Sequence, residues 1–100
     1  MKHTYKTDVV FRKDTSKDWK GTIFALFPHC VNDTTGNVLS YQHVGQHSAA
    51  DYQQCIRTSK PATETEYNDL KKELEHVGYD LNIIKKQNYK KYLQIYNLLK

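Results

Sequence analysis

The residue types able to do chemistry gather near the middle of the chain. His43-Val44-Gly45-Gln46-His47 sets two imidazoles four positions apart, and His29, Cys30 and Cys55 add further ligand or nucleophile types. On a helix, such a histidine pair stands one turn apart and can share zinc. On a strand the two share a face, but their backbones lie roughly 13 Å apart at about 3.3 Å per residue. That span is wide for one ion unless the chain bends at Gly45. The alternation that precedes it favours extension, and Val44 stands where a zinc-protease helix carries glutamate. A metal-dependent enzyme using His43 and His47 is therefore an alternative, and the principal expectation is no metal and no cofactor.

Nucleophilic catalysis has less behind it. No local signature surrounds Cys30 or Cys55, and a free cysteine most often behaves as a small buried hydrophobe. Asp69, Glu73 and Glu75 read as the solvated face of a helix. The four glycines, at 21, 36, 45 and 78, are scattered turn residues and form no phosphate-cradling loop. The expectation is a non-enzymatic protein.

Charge placement says more than net charge. The chain carries +4, yet residues 85–100 hold five lysines and no acid, leaving ten basic against eleven acidic residues in 1–84. Lys85, Lys86, Lys90 and Lys91 interleave with Tyr89, Tyr92 and Tyr96, which combines charge with stacking surface as single-strand binders do. The only arginines, Arg12 and Arg57, lie outside this tail, so bidentate base readout is not expected and any nucleic-acid binding would be weak and salt-sensitive. The bland reading turns the tyrosines inward and leaves the lysines to solvent. Trp19, alone in a polar hairpin loop, is either an edge plug or a contact anchor.

These residues must be positioned by one small body. One hundred residues, 38% apolar and 26% charged, suit a single folded domain. The longest apolar run, 23–27, is strand-sized, far below the roughly 20 residues of a membrane span. The first eight residues carry no signal-peptide apolar core. Two cysteines with no export signal predict reduced thiols and a cytoplasmic protein.

Periodicity predicts an α+β fold, a small antiparallel sheet in β-β-β-α-β order. Residues 8–13 (DVVFRK) predict a strand with Val9 and Phe11 on one face and Val10 and Arg12 on the other. Residues 22–27 (TIFALF) are apolar on both alternating sets, as a central strand covered on both sides would be. Pro28 is expected to end it. Turn chemistry at 32–37 leads into a third strand over 38–44, and residues 47–60 read as irregular. Thr63 with Glu66 makes a capping box, and Tyr67, Leu70, Leu74 and Val77 then fall on one helical face that Gly78 stops. A fourth strand follows over 79–85. Residues 1–86 are thus the domain, and 87–100 a basic amphipathic C-terminal helix that either covers the sheet's second face or leaves it for a dimer or partner.

Several stretches together resemble a family of small phage and mobile-element proteins. They are Phe11-Arg12, the run from Ile23 to Pro28 (IFALFP), the run from Ser40 to His47 (SYQHVGQH), Ala62-Thr63 through Tyr67, and Gly78-Tyr79. The resemblance spans roughly residues 8–86, with SYQHVGQH its most specific part, and it carries no catalytic residue. It implies a context: binding and blocking a host or anti-phage defence protein, in the host cytoplasm if phage-encoded. The partner surface is then expected around Trp19, Tyr41, His43, His47, Lys85, Lys86, Lys90, Lys91 and Tyr92. A small nucleic-acid-binding protein using the tail is the first alternative.

Overall fold

The computed structural model describes residues 6–17, 20–31, 36–42 and 47–99; the side chains of His47 and Leu99 are outside the description. Two strands whose alternating residues are apolar on both faces form the centre: β1 (Thr7–Asp14) and β2 (Ile23–Val31) pair antiparallel with Phe11 opposite Ala25. β3 (Val38–Tyr41) and β4 (His47–Ala50) extend the sheet beyond β2 by two further antiparallel pairings. The outer edge of β1 is shared: β5 (Ser59–Pro61) runs antiparallel along Arg12 to Asp14, and β6 (Leu81–Ile83) runs parallel along Thr7 to Val9. The sheet order is β4-β3-β2-β1-β5, with β6 off that path on β1. This mainly antiparallel sheet, with three helices among the described residues, is an α+β fold.

Each sheet face has its own apolar cluster. Val9, Phe11, Ala25, Phe27 and Tyr41 face α2 (Glu64–Val77), which contributes Leu70 and Leu74. Val10, Phe24, Leu26 and Val38 face α1 (Tyr52–Arg57) and α3 (Tyr89–Leu99), which contribute Tyr52 and Tyr92. The α2 helix forms where its sequence predicts. The Thr63 hydroxyl accepts from the Glu66 amide while the Glu66 carboxylate accepts from the Thr63 amide, and Gly78 closes the helix at φ 126°. Lys13 reaches from β1 to Glu66 at 2.6 Å, tying the cap to the sheet.

Three expectations are corrected. Pro28 does not end the second strand, because the β2–β3 register slips between Phe27 and Val31. In that irregular stretch no ladder bond is demanded of the proline nitrogen, so β2 continues through it. Residues 47–60 are not irregular but form β4, α1 and β5, each of six residues or fewer and so too short to show a period. The third strand stops at Tyr41, which pairs antiparallel with His47 of β4; residues 43–44 of the expected strand lie outside the described residues.

The terminal helix packs on the sheet's second face, against β2. Tyr92 turns inward and donates from its hydroxyl to the Gly36 carbonyl at 2.7 Å. Gly36 holds a left-handed φ of 92°, and a Cβ there would stand 2.6 Å from the Tyr92 hydroxyl oxygen. Gly36→Ala should therefore destabilise the protein by at least about 1–2 kcal/mol, from backbone strain alone, and loosen α3 as well. Thr63→Ala, which removes only the α2 cap, should cost about 1 kcal/mol and leave α3 seated. Urea unfolding followed by circular dichroism measures both losses, and limited proteolysis near residue 88 should accelerate only in the glycine variant.

Candidate functional site

Two polar arrangements lie beside the seam where α3 meets the sheet. The first centres on Asp8. Its Oδ2 accepts from His29 Nδ1 at 2.8 Å and from Lys91 Nζ at 2.9 Å, and its Oδ1 accepts from Asn82 Nδ2 at 2.9 Å. An aspartate orienting a histidine is the support half of a general-base pair. Here, however, the Asn88 amide donates to His29 Nε2 at 2.8 Å, which places the ring proton on Nδ1 and uses the lone pair that a base would need. Asn88 also caps α3, its Oδ1 accepting from the Lys91 amide at 3.2 Å. Gln87 Nε2 donates to the Pro28 carbonyl at 2.9 Å. The irregular stretch of β2 thus serves as the seat of the α3 N-terminus, and Asp8 with His29 is a clamp.

The second arrangement is a cleft of about 300 Å³ between α1 and the 84–88 connection. Arg12 and Tyr52 line its buried side, and Lys85, Lys86 and Tyr89 line its exposed side. Arg12 is 7% exposed. Its Nε donates to Ser59 Oγ at 2.9 Å, and its Nη2 donates to the carbonyls of Ser59 at 2.7 Å and Ile56 at 3.3 Å. One edge of the guanidinium therefore caps the C-terminal end of α1, where free carbonyls collect. Among the described residues, every acceptor it meets is a neutral oxygen and no carboxylate lines the cleft. Burial pushes the guanidinium below its ordinary pKa, with the Tyr52 hydroxyl partly offsetting the effect. Tyr52 is itself buried, its hydroxyl accepting from the Gln87 amide at 2.8 Å. Burial raises its pKa, so the phenol stays protonated.

The residues expected from sequence disperse. Lys85 and Lys86 stand exposed at the cleft, and Lys90 is exposed on α3. Lys91 is committed to Asp8, and Tyr92 is half-buried with its hydroxyl on Gly36. Tyr41 is a correction: at 1% exposure it belongs to the core beneath α2 and offers no contact surface, its hydroxyl donating to the Glu73 carboxylate. Trp19 and His43 lie outside the described residues, as does the side chain of His47. The stacked row Tyr89, Tyr92, Tyr96 has centroid spacings of 5.9 Å, and Tyr89 at 59% exposure is its open end.

Sequence reasoning passed over Arg12, Tyr52 and Asp8 as functional groups, and named His29 only as a ligand type, with no sign of its pairing to Asp8. For Arg12 a signal existed: it shares a strand face with Val10, and the paired strand puts Phe24 and Leu26 on that same side. A charge on an otherwise apolar face needs a reason. Both thiols are free; partial burial pushes each above its ordinary pKa, and Asp51 and Asp14 push Cys55 further, so neither is an activated nucleophile. Among the described residues no three histidine, cysteine or carboxylate groups are placed to hold a metal ion. No described helix is long and apolar enough to cross a membrane. The chain matches no protein-family model, no curated protein and no solved structure.

The Asp8 clamp has a pH signature. Burial alone would raise its pKa, but hydrogen bonds from Asn82, Lys91 and His29 outweigh that and hold it at about 2, against an ordinary 3.8. A depressed carboxylate stabilises the fold fully above the unfolded value and loses that contribution as pH falls through the folded one. Asp8→Asn should therefore be less stable than the parent by about 2 kcal/mol at pH 6, with the two converging towards pH 2. Glu66, held at about 2 by Lys13 and the Thr63 backbone, titrates in the same window, so the difference between the proteins isolates Asp8. Urea midpoints measured from pH 6 to pH 2 check this.

Proposed function

We propose that the protein is a non-enzymatic binding module that meets an anionic partner on the face formed by α1, the 84–88 connection and the start of α3. One observation carries this reading: cationic side chains line a cleft there that no carboxylate among the described residues lines. Among the described residues, two groups that could do chemistry elsewhere are turned to internal work: His29 is bonded through both ring nitrogens and Tyr41 is buried. The working groups of the face are Lys85, Lys86, Lys90 and Tyr89, which are exposed and make no hydrogen bond or ion pair from their side chains among the described residues.

The resemblance to small phage proteins supplies the partner class, a host or defence protein in the host cytoplasm. The positive face requires that such a protein present an acidic surface, and binding there would occlude it. A second reading, nucleic-acid binding, draws on the open ring of Tyr89 beside Lys85 and Lys86, since charge alternating with an exposed aromatic suits a single strand.

Reversing the charge of Lys85, Lys86 and Lys90 to glutamate touches no core residue and should leave the unfolding free energy from urea titration within about 0.5 kcal/mol of the parent. The parent should retain an acidic host protein stoichiometrically and lose it as salt rises, and the triple variant should not retain it. Fluorescence anisotropy with single-stranded DNA and RNA at about 50 and 200 mM salt tests the second reading, with affinity falling steeply if several phosphates are neutralised. Equal binding by parent and variant to every partner would defeat the assignment of this face.

A further inference from the structure

We infer that the cleft over Arg12 is a phosphate-binding pocket that takes the phosphate of a nucleotide, free or at the end of a strand, with the base laid on Tyr89. This rests on the reading of that face as an anion-binding surface and adds a defined pocket to it.

Arg12 carries an imbalance of charge. A guanidinium withdrawn from water is costly unless a counter-charge accompanies it, and buried arginines are ordinarily paired with carboxylates. Among the described residues Arg12 has only the hydroxyl and carbonyl of Ser59 and the carbonyl of Ile56. Those contacts explain the edge carrying Nε and Nη2. They leave Nη1 without a hydrogen-bond partner among the described residues; since no buried side-chain nitrogen or oxygen lacks a partner there, Nη1 opens to the solvent of the cleft that its side chain lines. A helix C-terminus supplies partial negative charge, and α1 is only six residues long, so the field it offers is small.

A second buried donor lies in the same lining. The Tyr52 oxygen accepts from the Gln87 amide, and its own proton has no acceptor among the described residues. Because the phenol stays protonated, it is available as a donor beside the arginine. A fixed guanidinium edge and a fixed hydroxyl, with two exposed ammonium groups at Lys85 and Lys86, match the acceptor oxygens of one phosphate better than a single carboxylate, which presents two. At about 300 Å³ the cleft is at the lower end of small-molecule sites, room for a phosphate and its ester substituent. Tyr89, exposed at the rim, offers a flat face where a base attached to that phosphate would arrive.

The chain's two arginines make the test internal. In ¹⁵N-labelled full-length protein at low salt, the Arg12 side-chain Nε–H signal is followed, with Arg57 as control, while inorganic phosphate, AMP, adenosine, a 5′-phosphorylated oligonucleotide, its unphosphorylated form and a phosphoserine peptide are added in turn. Saturable movement of the Arg12 signal is expected with AMP and the 5′-phosphorylated strand, weaker with inorganic phosphate, and absent with adenosine. Lys85→Ala with Lys86→Ala should weaken AMP at least tenfold while the fold is kept, and Tyr89→Ala should reduce AMP towards the affinity of inorganic phosphate. Arg12→Gln keeps a donor for the α1 carbonyls and should abolish AMP binding; should that variant unfold, the lysine and tyrosine variants still decide. Strands that bind through Lys85 and Lys86 without regard to the 5′-phosphate, leaving Arg12 unmoved, would refute the pocket while sparing the anion-binding face. Failure of every nucleic acid, together with equal partner capture by the triple glutamate variant, would remove both. Preference for the phosphoserine peptide over AMP would overturn the nucleotide assignment.

Discussion

Covering both faces of β1 and β2 is the constraint from which the architecture follows. Val9 and Phe11 point to one side and Val10 to the other, while Ala25 and Phe27 oppose Phe24 and Leu26 in the neighbouring strand. Leaving either set in water would forfeit about 25 cal/mol for each square ångström of apolar surface exposed. One helix serves the first side. The second side is served by two shorter pieces, α1 and α3, neither of which has the length to persist as an isolated helix. Their edges are therefore tied by polar contacts, and it is between those two pieces that the cationic cleft opens.

The polar contacts divide by what they have to hold. Asp8 gathers three donors from β2, β6 and α3, so one carboxylate fixes the terminal helix to two strands. His29 is a relay in that arrangement, passing the hold from the carboxylate to the backbone of Asn88. The same pair in an open pocket would suggest a base, and the backbone amide on its far nitrogen is what assigns it to structure. Arg12 shows the reverse: it begins as a cap on α1 and ends with more hydrogen-bonding capacity and more charge than capping consumes.

Long elements with strong local rules were legible in the sequence. The α2 helix was announced by Thr63, Glu66 and Gly78 and by its apolar spacing, and the two faces of β1 and β2 followed from strict alternation. What escaped was short or nonlocal. Four- and three-residue strands such as β4 and β5 exist because a neighbour offers an edge, and no period can declare them. Pro28 obeyed its rule in an unforeseen way, since a slipped register removed the demand it could not meet. Tyr41 was placed on the expected partner surface together with His43 and His47 of the SYQHVGQH stretch, whereas its own alternation with Leu39 and its pairing with Ala25 put it inside. The cleft was illegible for a different reason. Arg12, Tyr52 and Lys85 are separated by about forty and then thirty positions, and only the shared edge of β1 brings them together.

That shared edge also governs how the chain can assemble. β1 finds its hairpin partner within a dozen residues, but its outer side is completed by residues 59–61 and then 81–83, the latter in parallel. Contacts spanning more than seventy positions must close a long loop before they return any energy, which slows folding relative to a helical protein of equal size. During that interval an apolar strand stands with unpaired amides and carbonyls, the condition in which one chain recruits another. Thr7, Asp8, Lys13 and Asp14 at the ends of β1 carry polar or charged side chains, which make that waiting edge less inviting to a second copy.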